Sequence, residues 1–162
     1  MDKKLIIDMA IEFLKTVEGF RSEIYDDLAG LPTIGYGHIV TNKEDFKKIT
    51  KEEAENLLRK DIIYFLHTIE PLIKRELNEN QWAAILSFVY NIGVFRFSFS
   101  TFLMKLNEGK PLEEVAKEFD RWIYVNGKPV EGLINRRNAE KELFLSGLDK
   151  DNKKWYNNYN GE

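Results

Sequence analysis

Apolar residues recur every three or four positions along the first stretch of the chain, at Ile6, Ile7, Met9, Ala10, Phe13, Leu14 and Val17, the spacing of one helix face. Gly19 follows, a residue suited to stopping a helix, so Glu18 is expected at a helix C-terminus. The period then changes. Ser22 to Tyr25 and Leu31 to Tyr36 carry β-branched and aromatic residues on either side of Asp26-Asp27-Leu28-Ala29-Gly30, which predicts a hairpin. The run from Gly35 to Thr41 predicts one more short strand or turn, and no other β structure is expected.

Helical spacing resumes at Thr50-Lys51-Glu52-Glu53, a capping box followed by Ala54, Leu57, Leu58, Asp61, Ile62, Phe65 and Leu66. Pro71 should end this long helix near Ile69, leaving one further turn through Leu72, Ile73 and Leu77. Asn78 to Gln81 offers another cap, and Trp82 to Tyr90 is apolar nearly all round until Gly93, the mark of a central, buried helix. Ser98 or Ser100 is expected to cap a short helix through Phe102, Leu103, Met104 and Leu106 that ends at Gly109. Pro111 opens the next, with Leu112, Val115, Phe119 and Trp122, and Asn126-Gly127 marks a turn. A last helix is expected over 133–146, stopped by Gly147. The polar tail keeps only Trp155, Tyr156 and Tyr159 as residues able to dock.

Composition narrows the class. With 162 residues, 43% of them hydrophobic and 13% aromatic, the chain can bury one core of its own. It has no cysteine and two histidines, so neither disulfides nor a metal site is expected, and a reducing compartment suits it. No cofactor is expected either. The first residues lack an apolar run long enough for a signal peptide or a membrane span, which predicts a soluble cytosolic product without membrane insertion. A net charge of -3 with both signs interspersed argues against a nucleic-acid groove and against charge-driven adhesion to an anionic surface. A polyanionic substrate would have to be held by local Lys and Arg and by aromatic contacts.

The candidate chemistry lies between the first helix and the hairpin. Glu18 faces the negative end of the helix dipole, and apolar neighbours such as Phe13 and Phe20 would exclude water; both effects favour a carboxyl that keeps its proton and acts as a general acid. Asp27, in the acidic turn, is expected in water and ionised. Two carboxyls in contrasting environments suggest an acid paired with a base or charge stabiliser. Each also has a plain structural reading, as a helix-end carboxylate and a turn residue. His38 reads as a hydrogen-bonded structural partner and His67 as half-buried surface. Arg136 and Arg137 are adjacent on a helix and cannot share one face, so one is expected to pair internally with a carboxylate while the other faces a cleft or solvent.

Glu18, Asp27 and Thr33, separated by eight and then five residues, sit in a stretch that resembles the phage-type lysozymes of glycoside hydrolase family 24. The resemblance continues through Thr33-Ile34-Gly35-Tyr36-Gly37-His38, Phe88 to Gly93, Ser100-Thr101, Leu106-Asn107 and Gly132 to Arg137. It implies an α+β, mostly helical, lysozyme-like fold in a single domain. An N-terminal lobe over about 12–60 would carry the short sheet, a connecting helix would span about 51–76, and a helical C-terminal lobe over about 77–162 would include the N-terminal helix. It implies a monomeric endolysin, held in the host cytoplasm until release, that hydrolyses the β-1,4 bond between N-acetylmuramic acid and N-acetylglucosamine of bacterial peptidoglycan with inversion. Glu18 matches the general acid, Asp27 the charge-stabilising carboxylate and Thr33 the residue that holds the attacking water. An inverting site needs its carboxyls roughly 6.5–9.5 Å apart. Ile39 and Tyr90 match cleft-lining residues and Ser100 a substrate contact on the opposite lobe, while Gly37 and His38 match support behind the catalytic turn. Ala116 stands where some relatives place a substrate-touching asparagine. Two other readings are a lytic transglycosylase, against which Asp27 and Thr33 count, and a non-catalytic cell-wall binding protein.

Overall fold

The computed structural model describes residues 1–147, so the expected docking of Trp155, Tyr156 and Tyr159 lies outside the described residues. Helix α1 spans Lys3–Glu18; Asp2 accepts a hydrogen bond from the Leu5 N–H at its start, and Gly19, at φ +68°, ends it. Its apolar stripe buries Ile6, Met9, Ala10, Ile11 and Leu14. The chain then enters a three-stranded antiparallel sheet of β1 (Arg21–Asp26), β2 (Pro32–Gly35) and β3 (His38–Ile39) in sequential order. Its register sets Thr33 opposite both Tyr25 and Ile39. Thr33, Ile34 and Tyr36 are buried, and a Cβ on Gly35 would meet Ala54 Cβ at 3.1 Å. That close approach seats the sheet on α2 (Lys51–Ile69), whose start carries the reciprocal Thr50–Glu53 capping box.

Beyond α2 the expected turn through Leu77 does not form. A short 3-10 turn, Glu70–Leu72, gives way to an extended Ile73. Asn107 is the reason: its side chain accepts from the Lys74 N–H and donates to the Leu72 carbonyl, each at 2.9 Å, and so takes two backbone groups that another helical turn would need.

Helix α3 (Glu79–Ile92) is the central element, capped by Asn78 and buried without interruption from Asn80 to Val89. It packs between α1 and α7 (Glu131–Leu145). A one-turn helix that the apolar pattern did not predict, α4 (Val94–Ser98), precedes α5 (Thr101–Asn107), which Ser100 caps. Helix α6 (Leu112–Ala116) runs into a 3-10 segment, Lys117–Arg121. Phe88 is the hub of the aromatic core, with ring centroids 5.0 Å from Phe119, 5.4 Å from Phe102 and 5.8 Å from Trp122.

The chain holds a second β ribbon where only a turn was expected, β4 (Tyr124–Val125) with β5 (Lys128–Pro129). Asn126 and Gly127 both take positive φ, +50° and +77°, the requirement of the tight hairpin turn that Asn-Gly favours. Two-residue strands are too short to show alternation, which is why the ribbon is invisible in the apolar pattern.

Candidate active site

Glu18 ends α1 with its side chain largely covered but still 17% exposed. Its surroundings differ from the apolar pocket expected of it. Glu18 Oε1 accepts from the Arg136 guanidinium of α7, and on the other side a Cβ placed on Gly37 would lie 2.7 Å from Glu18 Oε2. Gly37, at φ +84°, is therefore a position where only glycine lets the β2–β3 turn close against this carboxyl.

Arg136 belongs to a buried network. It donates to the Ser87 carbonyl at 2.9 Å and to Glu140 Oε2 at 3.4 Å, while Arg137 reaches Glu140 Oε1, Asn91 Oδ1 and the Trp122 carbonyl. Glu140, with no exposed surface, also accepts from the Ser87 hydroxyl at 2.6 Å. Burial works against the Arg136 charge, but Glu18 and Glu140 outweigh it and hold its pKa above the ordinary arginine value; at Arg137 burial wins and lowers the pKa, although Glu140 opposes it. Both arginines thus pair internally, which corrects the expectation that one would face a cleft or solvent. Residues three and four positions back on a helix both reach Glu140, and long guanidinium arms swing inward from adjacent positions.

Asp27 sits in the β1–β2 turn, half-buried rather than fully in water. Its Oδ1 accepts from the Ala29 and Leu31 N–H groups, both at 2.9 Å, and its own N–H donates to the Leu31 carbonyl. The carboxylate is thereby fixed by its own turn, and Oδ2 has no hydrogen-bond partner among the described residues. Thr33, 2% exposed, donates its hydroxyl to the Leu31 carbonyl at 2.8 Å, so its oxygen keeps lone pairs to accept with. Burial raises the pKa of the Tyr25 phenol, the charges of Glu18 and Asp27 raise it further, and Arg21, its guanidinium 4.8 Å from the ring centre, opposes them.

The other sequence-predicted positions divide. Ile39, 49% exposed, presents an apolar surface next to Thr33. Tyr90 is partly buried and its hydroxyl donates to the Tyr36 carbonyl at 2.9 Å. Ser100 is buried; it donates to the Phe97 carbonyl and accepts from the Leu103 N–H. It backs a surface pocket of about 450 Å³ lined by Phe95, Arg96, Phe99, Arg121 and Trp122. His38 binds Asp61 Oδ2 at 2.6 Å and Glu44 at 2.9 Å, as its structural reading expects, whereas His67 is exposed rather than half-buried. Glu140 and Ser87 were missed. The signal for Glu140 was present, since it follows Arg136 and Arg137 at helical spacing and shares a face with Leu143 and Phe144; Ser87, inside an apolar run, carries none.

A small antiparallel sheet set against a mostly helical body with Phe88 at its core is the fold of the lysozyme-like glycoside hydrolases. A model of the family described as phage lysozyme matches residues 15–140, and the chain belongs to that family. The endolysin of Acyrthosiphon pisum secondary endosymbiont phage 1 is 43% identical over 145 residues, covering 87% of this chain and 98% of its own. The endolysin of Bacillus phage B103 is 36% identical over 148 residues, which are 90% of this chain and 56% of the relative, so the chain spans a little over half the length of that protein. Among solved structures, the muramidase domain of SpmX from Asticaccaulis excentricus superposes with a TM-score of 0.75 at 35% identity, covering 85% of this chain and 95% of that one.

Proposed function

We propose that the chain is an inverting muramidase that cleaves the β-1,4 bond between N-acetylmuramic acid and N-acetylglucosamine in peptidoglycan. The observation that carries the reading is the Glu18 carboxyl held at the end of α1 by Arg136 and followed directly by a hairpin whose turn fixes the Asp27 carboxylate and whose second strand carries Thr33. Glu18 protonates the glycosidic oxygen as the bond from it to the anomeric carbon breaks. Asp27 offers its open oxygen to the positive charge developing at that carbon and to a water on the opposite face of the ring. The Thr33 oxygen accepts a hydrogen bond from that water, and the proton lost on attack passes to Asp27. Ile39 and the Tyr90 ring line the sugar path, and Ser100 supports a far wall whose aromatic and guanidinium groups suit a glycan bearing carboxylates. The chain acts alone on the bacterial wall, after release from the host cytoplasm. Among the described residues no helix is long and apolar enough to cross a membrane, which is compatible with that route.

The test is Glu18→Gln. This variant is expected to stay folded, with a lowered melting temperature because Arg136 keeps only Glu140 as a carboxylate partner, and to lose at least a hundredfold per folded molecule in the release of reducing ends from purified peptidoglycan. Full activity in that variant would sink the assignment of the acid. The wild-type product mass decides the mechanism as well: a hydrolysed reducing end supports it, and an anhydro sugar lighter by one water would replace it with a transglycosylase.

A further inference from the structure

Tyr90 carries a second observation that goes beyond lining a cleft. Its hydroxyl, on α3, donates to the Tyr36 carbonyl 54 residues away in the chain. That carbonyl belongs to the turn whose next residue, Gly37, touches the Glu18 carboxyl. A Cβ on Gly37 would lie 2.9 Å from Glu18 Cδ and 3.2 Å from Tyr90 Cε1, so the carboxyl and the tyrosine ring both close on the side of the turn where a Gly37 side chain would stand. Neighbours fix both rings: Phe65 meets Tyr90 edge-on at 5.8 Å, and Phe20 lies 5.6 Å from Tyr36. The two Glu18 oxygens are thereby made unlike. Oε1 accepts from Arg136, so a proton on this carboxyl belongs on Oε2, the oxygen covered by Gly37.

We propose that Tyr90 is a positioning residue whose hydroxyl straps the Tyr36–Gly37 turn onto Glu18 and so sets the direction in which Oε2 presents its proton. The proton moves from Oε2 to the glycosidic oxygen as the bond to the anomeric carbon breaks, and a misdirected carboxyl slows that step without weakening sugar binding. Burial, with the Asp61 and Glu18 charges adding to it, pushes the Tyr90 phenol well above the ordinary tyrosine range. The strap therefore remains a neutral O–H donor through mildly alkaline pH.

This inference rests on Glu18 being the acid, and the experiment separates the two. Tyr90→Phe, Gly37→Ala and Glu18→Gln are made in the full chain, and kcat, KM and melting temperature are measured with soluble peptidoglycan oligosaccharides. Tyr90→Phe keeps the ring and is expected to lower kcat about tenfold with KM within about twofold. Gly37→Ala should lower kcat further. The double variant should be no slower than Gly37→Ala alone, because both changes act through one turn. A raised KM at unchanged kcat would make the hydroxyl a substrate contact and overturn the proposal, as would kinetics equal to wild type or a kcat loss accounted for by unfolded protein. If Gly37→Ala does not fold, the kcat and KM split in Tyr90→Phe decides alone. A fully active Glu18→Gln would bring down the reading of the acid itself.

Discussion

Glu140→Gln preserves the shape of the side chain and removes the buried negative charge that Arg136 and Arg137 share. Glu140 accepts from Arg136 Nε, from Arg137 and from the Ser87 hydroxyl. Glutamine keeps one acceptor oxygen and turns the other into an amide that confronts a donor. Breaking a buried ion pair from one side costs about 3–5 kcal/mol. Arg136 retains Glu18, so the loss falls mainly on Arg137 and belongs near the lower end, about 3 kcal/mol. For a chain of this length each kcal/mol moves Tm by about 2–4 °C, which predicts a fall of about 6–12 °C. Urea unfolding followed by fluorescence measures the same loss as a lower midpoint at constant slope. The pair between Lys141 and Asp120, 2.7 Å apart with the Asp120 side chain 52% exposed, sets the internal scale, because Asp120→Asn should cost no more than about 1 kcal/mol. Equal losses from the two variants would refute the claim that burial makes the Glu140 network strong.

His38 gives a prediction with a sign. Its bond to Asp61 raises its pKa, burial opposes, and Glu44 adds to the rise. The stability it contributes is full below about pH 6.5 and is lost as pH climbs through the raised folded value. The unfolding free energy of wild type over His38→Asn should therefore shrink above about pH 6.5; a constant difference from mildly acid to mildly alkaline pH would contradict this. Thr50→Ala removes the α2 cap and should cost about 1 kcal/mol by the same urea assay, with Thr50→Ser close to wild type and activity per folded molecule unchanged.

The parts of the fold set by neighbours in sequence were legible. Gly19 after Val17-Glu18, Pro71 after Ile69 and the Thr50–Glu53 box end or begin helices through local backbone chemistry, and each does so where the pattern placed it. Glu18 and Asp27 could be read as a candidate pair because they lie close in sequence on one helix end and one hairpin, whereas Thr33 entered only through the family resemblance. What surrounds Glu18 was not legible in the same way. The apolar neighbours Phe13 and Phe20 are close in sequence, but the group that meets the carboxyl comes from α7. That helix hides its role because its buried face carries Arg136, Arg137 and Glu140, so a reading by hydrophobicity finds no stripe on it. The loss of the turn toward Leu77 has a similar cause, since Asn107 acts on Leu72 and Lys74 from 35 and 33 residues away.

The contact between Glu18 and Arg136 spans 118 residues, and that separation sets a clock. At synthesis rates of about 5–20 residues per second, the ribosome makes Glu18 about 6–24 seconds before it makes the arginine that holds it. Throughout that interval the nascent chain carries Glu18 and the hairpin without α7 beside them. The Glu18 site is thus incomplete for most of the chain's own translation, and a product truncated before α7 would lack the guanidinium that holds the Glu18 carboxyl.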